Sequence, residues 1–433
     1  MKTPKPVESS ERVLLVGVGL KRAAHIPGVA AADYQRERIE ELDELARSAG
    51  AQVAGVVLQM REGLDPATLV GRGKLDEIRA EATTHRAPVV IFDRNLTPGQ
   101  QRNIEKALDC RVLDRTQLIL DIFARHARTR EGMLQVELAQ LNYLLPRLAG
   151  RGVELSRLGG GIGTRGPGEQ KLETDRRRIR GRIARVKGEI DLVRRRRQTQ
   201  RKARRDVPLP SAALVGYTNA GKSTLFNALT RAGVLTSSRM FATLDPTVRA
   251  VELPSGRRAL LSDTVGFIRD LPPGLIAAFR ATLEEAEEAS LILHVTDVSS
   301  PHHPEQDAEV VKILTELGLA DRPRIHVFNK CDKLPPSEAE YIGGESGVRV
   351  SALKGAGLEE LLTRIDAGLP SEEFVRLQVE LPLDDGRTLA RLHQRGRVLA
   401  SEMRDSHLWV DAEVPQSLAG QLNPSLRVSR DGR

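Results

Sequence analysis

Eight residues, Gly216-Tyr-Thr-Asn-Ala-Gly-Lys-Ser223, set two glycines, a lysine and a hydroxyl at the spacing G-x-x-x-x-G-K-[ST]. The chemistry served by such a set is phosphate binding. Glycines let the main chain wrap tightly, so successive N–H groups and the following helix N-terminus face an anion. Lys222 would neutralise the β- and γ-phosphates, and the Ser223 hydroxyl would ligate Mg²⁺. Tyr217, Thr218, Asn219, Ala220, Gly221 and Thr224 are expected to line the same nucleotide. Three further constellations follow in order. In Asp263-Thr264-Val265-Gly266, Asp263 would hold Mg²⁺ through water and the Gly266 amide would meet the γ-phosphate. In Asn329-Lys330-Cys331-Asp332, the carboxylate can accept from guanine N1–H and N2–H₂ together. Adenine lacks that donor pair, so this element argues for GTP over ATP. Asn329 can also brace the phosphate loop, and the Lys330 stem can pack along the purine. Backbone amides of Ser351-Ala352-Leu353 can cap guanine O6. Between the first two constellations lies Phe241-Ala242-Thr243-Leu244-Asp245-Pro-Thr247, where a switch must bring a threonine to Mg²⁺ and γ-phosphate. Thr243 is the choice and Thr247 the rival. Lys222, Thr243 and Gly266 are the expected catalytic residues.

One residue departs from what hydrolysis commonly uses. Many GTP-binding proteins place a glutamine after the Asp-x-x-Gly glycine to orient the attacking water. Here Phe267 follows, and it can neither donate nor accept a hydrogen bond.

These residues need strand ends to hold them. Apolar runs precede each motif: AALV (212–215), ALLSD (259–263) and RIHVF (324–328) read as strands, and TLFNALTR (224–231) opens a helix. Residues 12–128 also alternate strands and helices. VLLVGVGL, QVAGVVLQM, PVVIFDR and CRVLD read as buried strands, with helical stretches at 34–50, 74–87, 98–109 and 115–127. Such alternation predicts a parallel sheet covered by helices.

The region between the two changes character. Leu134, Leu138, Leu141, Leu145 and Leu148 recur at steps of four and three, as do Ile179, Ile183, Val186, Ile190 and Val193. Narrow seams of this kind pair helices. Pro146 should kink or end the first helix. The glycine-rich stretch 151–170 is the expected tip of an antiparallel hairpin. The second helix carries sixteen Lys/Arg against four Asp/Glu between 171 and 205. That is either a solvated face or a surface for an anionic partner. FVRLQVELPL and SHLWVDAEVP read as strands of a small α+β appendage with a helix, RTLARLHQRG, between them. The expected division is an N-terminal α/β domain (1–128), a basic helical hairpin (129–206), a P-loop GTPase domain (207–370) and a C-terminal α+β domain (371–433).

Composition narrows the partner. The formal charge is +8 over 433 residues, which favours nucleic acid or a membrane surface. No run of eighteen apolar residues occurs, so any membrane association is expected to be peripheral. The N-terminus reads as a first strand and not as a signal peptide. Two cysteines, Cys110 and Cys331, form no metal-ligand pattern and fit a reducing cytosol. Aromatic content is only 3%, so nucleic-acid binding should lean on phosphates and not on base stacking.

Together these residues resemble the HflX family of ribosome-associated GTPases. The likeness runs through VGRGKLDEI (70–78), NLTPGQQRNIE (95–105), VLDRTQLILDIFARHARTREGMLQVELAQLNYLLPRL (112–148) and GGGIGTRGPGEQKLETDRRRIRGRI (159–183). It continues through GYTNAGKSTLFNAL, FATLDPT, DTVGFIRDLP, NKCD and SAL. The resemblance implies Thr243 as the Mg²⁺-binding threonine, a cytoplasmic monomer, and binding to the 50S subunit. It also implies splitting of stalled or stressed 70S ribosomes, with a role in ribosome biogenesis as a further expectation. Phe267 matches the family's DTVGF, so slow intrinsic hydrolysis with the 50S subunit as activating partner is expected. Some relatives are proposed to bind ATP through the N-terminal region, but no second P-loop occurs there. Asn219 resembles the asparagine of potassium-stimulated GTPases; it would hold K⁺ near the phosphates or merely brace the loop. The basic helix and its tip suit a narrow RNA-walled space, with Arg165, Lys171, Arg176, Arg177, Arg178, Arg194, Arg195, Arg196 and Arg197 as contact candidates. A GTP-switched ribosome- or membrane-binding module, in which hydrolysis only resets binding, is the alternative.

Overall fold

The computed structural model describes residues 11–21, 31–148, 167–204, 209–230, 240–241, 246–270, 286–335, 347–370, 374–404 and 407–422. They divide into two compact units, residues 1–200 with 210–368, and 201–209 with 369–433.

In the first unit, an N-terminal sheet has the order β2-β1-β3-β4, with β1 Arg12–Leu20, β2 Gln52–Arg61, β3 Val89–Phe92 and β4 Arg111–Leu113 all parallel. Alternate residues of β1 face opposite ways, as strand geometry requires. Leu14, Val16 and Val18 pack with Leu75, Ile78, Ile104 and Leu108 of α2 (Arg72–Thr84) and α3 (Pro98–Leu108). Val13 and Leu15 pack with Leu42, Leu45, Leu118 and Ile122 of α1 (Ala31–Ser48) and α4 (Arg115–His126). The helix starts are encoded locally. Thr97 and Gln100 form a capping box with Pro98 behind the cap, and Asp114 caps α4 by accepting from Gln117 N at 2.8 Å.

The second sheet has the order β10-β9-β8-β5-β7-β6, with β5 Ser211–Gly216, β6 Thr247–Glu252, β7 Arg258–Asp263, β8 Leu291–Asp297, β9 Arg324–Asn329 and β10 Gly347–Arg349. Only β6 runs antiparallel to its neighbour. Helices α7 (Lys222–Thr230), α8 (His303–Glu316) and α9 (Leu358–Gly368) accompany it. The α1/α4 side of the N-terminal core is continuous with the core of this sheet, through Val215, Tyr217, Phe241, Phe267 and Ile292. The two sheets thus share one buried apolar cluster.

The hairpin consists of α5 (Arg130–Arg147) and α6 (Pro167–Arg204). Leu134 and Leu141 pack against Val186 and Ile190, with Leu138, Ile179, Ile183 and Val193 alongside. Arg130 pairs with Glu189 and Arg182 with Glu137, so the helices run antiparallel. Pro146 sits in the last turn of α5, where it ends the helix without kinking its middle. The expected glycine-rich tip lies outside the described residues, except for the start of α6.

The smaller unit has an antiparallel sheet of order β11-β13-β12: β11 Phe374–Pro382, β12 Arg397–Arg404 and β13 His407–Pro415, with α10 (Gly386–Arg395) and α11 (Gln416–Gln421). Sequence patterning predicts two of these strands; β12 is a third. Six of its eight residues in a row, Glu402 and Arg404 among them, are exposed at the sheet edge, so no alternation of apolar and polar residues marks it.

Candidate nucleotide site

The phosphate loop joins β5 to α7. Gly221 has φ +91°, and a Cβ there would collide with the Asn329 amide, so only glycine fits. Lys222 is buried and turns its Nζ back over the loop, donating to Gly216 O (3.1 Å) and Tyr217 O (2.7 Å). Burial pushes its pKa down to about 8, while the neighbouring Asp263 carboxylate opposes that shift. An incoming polyphosphate would restore the charge that burial disfavours.

Ser223 donates to Asp263 Oδ2 at 2.7 Å, so the hydroxyl of the loop and the carboxylate at the end of β7 meet. Two hard oxygen donors so close together suit Mg²⁺. A Cβ on Gly266 would come within 2.9 Å of Thr218 Cα and 3.0 Å of Lys222 Nζ, leaving main chain alone against the loop. Among the described residues the buried Thr218 hydroxyl has no hydrogen-bond partner, a donor in want of an acceptor. These features fit a Mg²⁺–polyphosphate group.

Phe267 is buried, and its role is in its backbone. Thr218 N donates to Phe267 O at 2.7 Å and Phe267 N donates to Gly216 O at 3.0 Å. The segment after Asp263 therefore continues as a two-bond ladder against the phosphate loop. The ring packs in the core and takes no polar role. Thr264 likewise turns inward, donating to Leu214 O at 2.6 Å, and Val265 is buried.

The base-recognition corner is held by side chains. Asn329 donates to Ala220 O (2.9 Å) and accepts from Ala352 N (3.1 Å), bracing the phosphate loop and the Ser351–Leu353 loop at once. Ser351 donates to Asp332 at 2.6 Å, which holds that carboxyl below its ordinary range. Lys330, with φ +64°, is fixed by Asp297 at 2.6 Å. Cys331 is half-buried, and its N–H bonds Val350 O. Leu353 is 80% exposed, so any contribution at the base is from its backbone. Asn219 is exposed, with φ +62°. Gly216 through Thr224, Asp263 through Gly266, Asn329 through Asp332 and Ser351 through Leu353 thus gather along one edge of the sheet.

Ala242, Thr243, Leu244 and Asp245 lie outside the described residues. Their neighbour Phe241 is described, and its side chain packs edge-on against Phe123 of α4, ring centroids 4.5 Å apart. Met240 N donates to Ser48 at the end of α1. The entrance to the switch is thereby clipped to the N-terminal part. Among the basic candidates, Arg177 and Arg178 are exposed on α6, Arg176 is half-buried and Arg195 is exposed. Arg165 and the side chains of Lys171, Arg194, Arg196 and Arg197 lie outside what is described.

A second set of residues is invisible to motif spacing. Tyr217, inside the phosphate loop, sends its hydroxyl to Glu41 of α1 and accepts from Arg269 N at 3.0 Å. Glu41 also pairs with Arg115 (2.6 Å) and Arg269 (3.4 Å), and Arg269 bonds Glu37. Arg38 pairs with Asp93 (3.3 Å) and with Asp270 (2.8 Å). Arg38, Arg115 and Arg269 are all at most 5% exposed. A helix of the N-terminal sheet therefore grips both the phosphate loop and the segment three residues past Gly266. By motif, Tyr217 is only a variable loop position. Nothing in its spacing points to Glu41, 176 residues away.

Comparison with known proteins agrees with this geometry. Residues 36–124 match the model of the GTP-binding GTPase N-terminal family, 126–204 that of the GTP-binding GTPase middle region, and 211–330 that of the 50S ribosome-binding GTPase family. A protein described as GTPase HflX from Caldanaerobacter subterraneus is 46% identical, over 91% of each chain. One of the same description from Lacrimispora saccharolytica is 45% identical over 96% of each. That of Escherichia coli is 43% identical over 84% of this chain and 86% of its own. Among the described residues, no helix is long and apolar enough to cross a membrane.

Proposed function

The chain belongs to the HflX family of GTPases, and from that premise we propose that it uses GTP binding and hydrolysis to dissociate or rescue ribosomes through the 50S subunit. It is a GTP-hydrolysing enzyme. The observation that carries the larger reading is the tie between Tyr217, Arg269 and Glu41. Through it, whatever the nucleotide does to the phosphate loop bears on α1 and the N-terminal sheet. The likeness of residues 211–330 to 50S ribosome-binding GTPases supports the choice of partner.

In this reading Lys222 and the loop amides bind the phosphates, and Asp332 with the Ser351–Leu353 amides selects guanine. Ser223, Thr243 and, through water, Asp263 would hold Mg²⁺. When bound, that ion supplies charge neutralisation at the β- and γ-phosphates. Gly266 N–H meets the γ-phosphate. Phe267 latches the switch backbone to the loop, so it leaves the attacking water without a side-chain partner of its own. The group that completes hydrolysis then comes from the bound particle, and external groups of this kind add about 10³–10⁵-fold. Asn219 as a K⁺ ligand is a lesser part of the proposal, tested by comparing rates in K⁺ and Na⁺. The basic face of α6 with the glycine-rich stretch 151–170 approaches rRNA through phosphates. The working parts are 1–128, 129–206, 207–370 and 371–433, acting in the cytoplasm as a monomer.

The test is sedimentation of 70S ribosomes with the protein and GTP, a non-hydrolysable analogue, or GDP. Free subunits with the protein on 50S in the first two arms are expected. Intact 70S with free protein in every arm overturns the reading. Phe267 also favours a second reading, in which hydrolysis only resets a GTP-controlled binding module. Under it, the slow Lys222→Ala variant splits one round of ribosomes and then stays on 50S.

A further inference from the structure

Three side chains of ligand type meet outside the nucleotide motifs. His294 on β8 and His326 on β9 are register partners on neighbouring strands, and Asp307 of α8 lies against them. His294 Nε2 is 3.1 Å from Asp307 Oδ1, and His326 Nε2 is 3.4 Å from Asp307 Oδ2. All three ligand atoms fall within 4.8 Å of one another. Donors bound at 2.0–2.2 Å to a tetrahedral ion are separated by about 3.3–3.6 Å; each ring nitrogen already lies near that spacing from one oxygen of Asp307, and the carboxylate need only turn to offer a single oxygen to both.

A second observation is independent of that convergence. His294 is 2% exposed, and its Nε2 makes no hydrogen bond despite its closeness to the carboxylate. A buried ring nitrogen whose carboxylate neighbour, at 3.1 Å, is out of line for a hydrogen bond is poorly satisfied for a core position. Asp307 already has a donor in Thr296, at 2.6 Å, and the same hydroxyl lies 2.7 Å from His326 Nε2. With His326 in its Nε2–H tautomer the hydroxyl accepts from the ring while it donates to Asp307, and this is the polar arrangement with which an ion competes.

We propose that His294, Asp307 and His326 form a binding site for a divalent transition-metal ion of the Zn²⁺ type, with Thr296 or water completing it. Two imidazoles and one carboxylate select such an ion over Mg²⁺, which takes oxygen ligands. The site is therefore separate from the ion that accompanies GTP. The imidazoles now stack, with centroids 4.6 Å apart and planes 11° apart. A bound ion lies in the plane of each ring, so both rings must turn about χ2, a soft torsion for histidine. The ion would fasten α8 to β8 and β9. Three residues after His326 comes Asn329, and three after His294 comes Asp297, which holds Lys330 at 2.6 Å. Occupancy would thus stiffen the base-recognition corner.

The competing arrangement is a metal-free polar cluster, and full-length, untagged protein distinguishes the two. It is stripped with chelator, freed of nucleotide and titrated with Co²⁺ while visible d–d absorption is followed. Zn²⁺ competition, metal content and melting temperature are measured in parallel. One equivalent of Co²⁺ with intense visible bands, displaced by Zn²⁺ and accompanied by a higher melting temperature, is expected. His326→Gln, whose side chain is 30% exposed and so tolerates change, should abolish the bands. Asp307→Asn should do the same, and Thr296→Val should weaken binding about 10–100-fold. Wild-type protein that takes up no stoichiometric Co²⁺ or Zn²⁺ overturns the proposal without recourse to any variant. So does a His326→Gln variant that binds as tightly as wild type.

Discussion

Arg38, Arg115 and Arg269, between the two large sheets, are buried and matched to Asp93, Asp270, Glu41 and Glu37. Along α6, Arg177, Arg178, Arg180 and Arg185 are exposed, and the helix carries few carboxylates to balance them. The same side chain is under opposite constraints in the two places. A buried guanidinium has lost its hydration, at several kcal/mol per ion, and recovers it only in one geometry. The seam therefore specifies a single docking of α1 against the phosphate loop. Exposed like charges repel one another, and they gain when a polyanion arrives and releases its counterions. One set of arginines fixes the molecule's own arrangement; under the proposed function, the other is left for an anionic partner.

The comparison breaks first at Glu41. Glu41→Ala leaves Arg115 and Arg269 without their shared carboxylate and should cost about 3–5 kcal/mol. Urea unfolding measures it, and a loss below about 1 kcal/mol would mean the seam is not holding the fold. Lys222→Ala removes a buried cation that belongs to neither set. Single-turnover hydrolysis should slow by about 10²–10³-fold, roughly 2.7–4 kcal/mol of barrier. Any fall in melting temperature should be small, because relief of a charge disfavoured by burial offsets the two loop carbonyls left without the Nζ donor. Tyr217→Phe deletes only a hydroxyl, yet leaves Glu41 and Arg269 N each short of a partner. A loss of about 1–3 kcal/mol is expected, with altered hydrolysis because the residue lies within the loop. The smallest stability effect is reserved for α6. Changing Arg177, Arg178, Arg180 and Arg185 to alanine together should move each position's stability contribution by less than about 0.5 kcal/mol. The salt dependence of 50S binding should become shallower, by up to about 0.7–0.9 in log–log slope for each phosphate no longer neutralised. An unchanged slope would show that these side chains are merely solvated.

The nucleotide motifs are legible because each is local. Gly216 to Ser223 and Asn329 to Asp332 act through consecutive backbone and side-chain groups at strand ends, so spacing alone identifies them. The hairpin seam is legible for a similar reason, since heptad-like spacing fixes which helix faces must meet. Strand β12 is not, because an exposed edge strand needs no apolar alternation. Phe267 poses a question that its side-chain type cannot answer. Its polar contribution is a pair of main-chain bonds to Gly216 and Thr218, which any residue but proline could make. Phe241 is grouped with the nucleotide by motif, but its ring has gone to Phe123.

From its order of residues this protein was already bound to two largely parallel sheets, a phosphate loop with a separate guanine-type motif, and a cationic helical arm. Hydrophobic period, glycine placement and charge runs are properties of short stretches. The joining of Tyr217 to Glu41, of Arg38 to Asp270, and of His294 to Asp307 and His326 belongs to the folded chain only. Those partners come from different strands and helices, and no local rule ties a tyrosine to a carboxylate 176 residues away. Burial made the pairings necessary, since charges and polar groups removed from water must find one another, and the packing of the two sheets determined which ones were within reach.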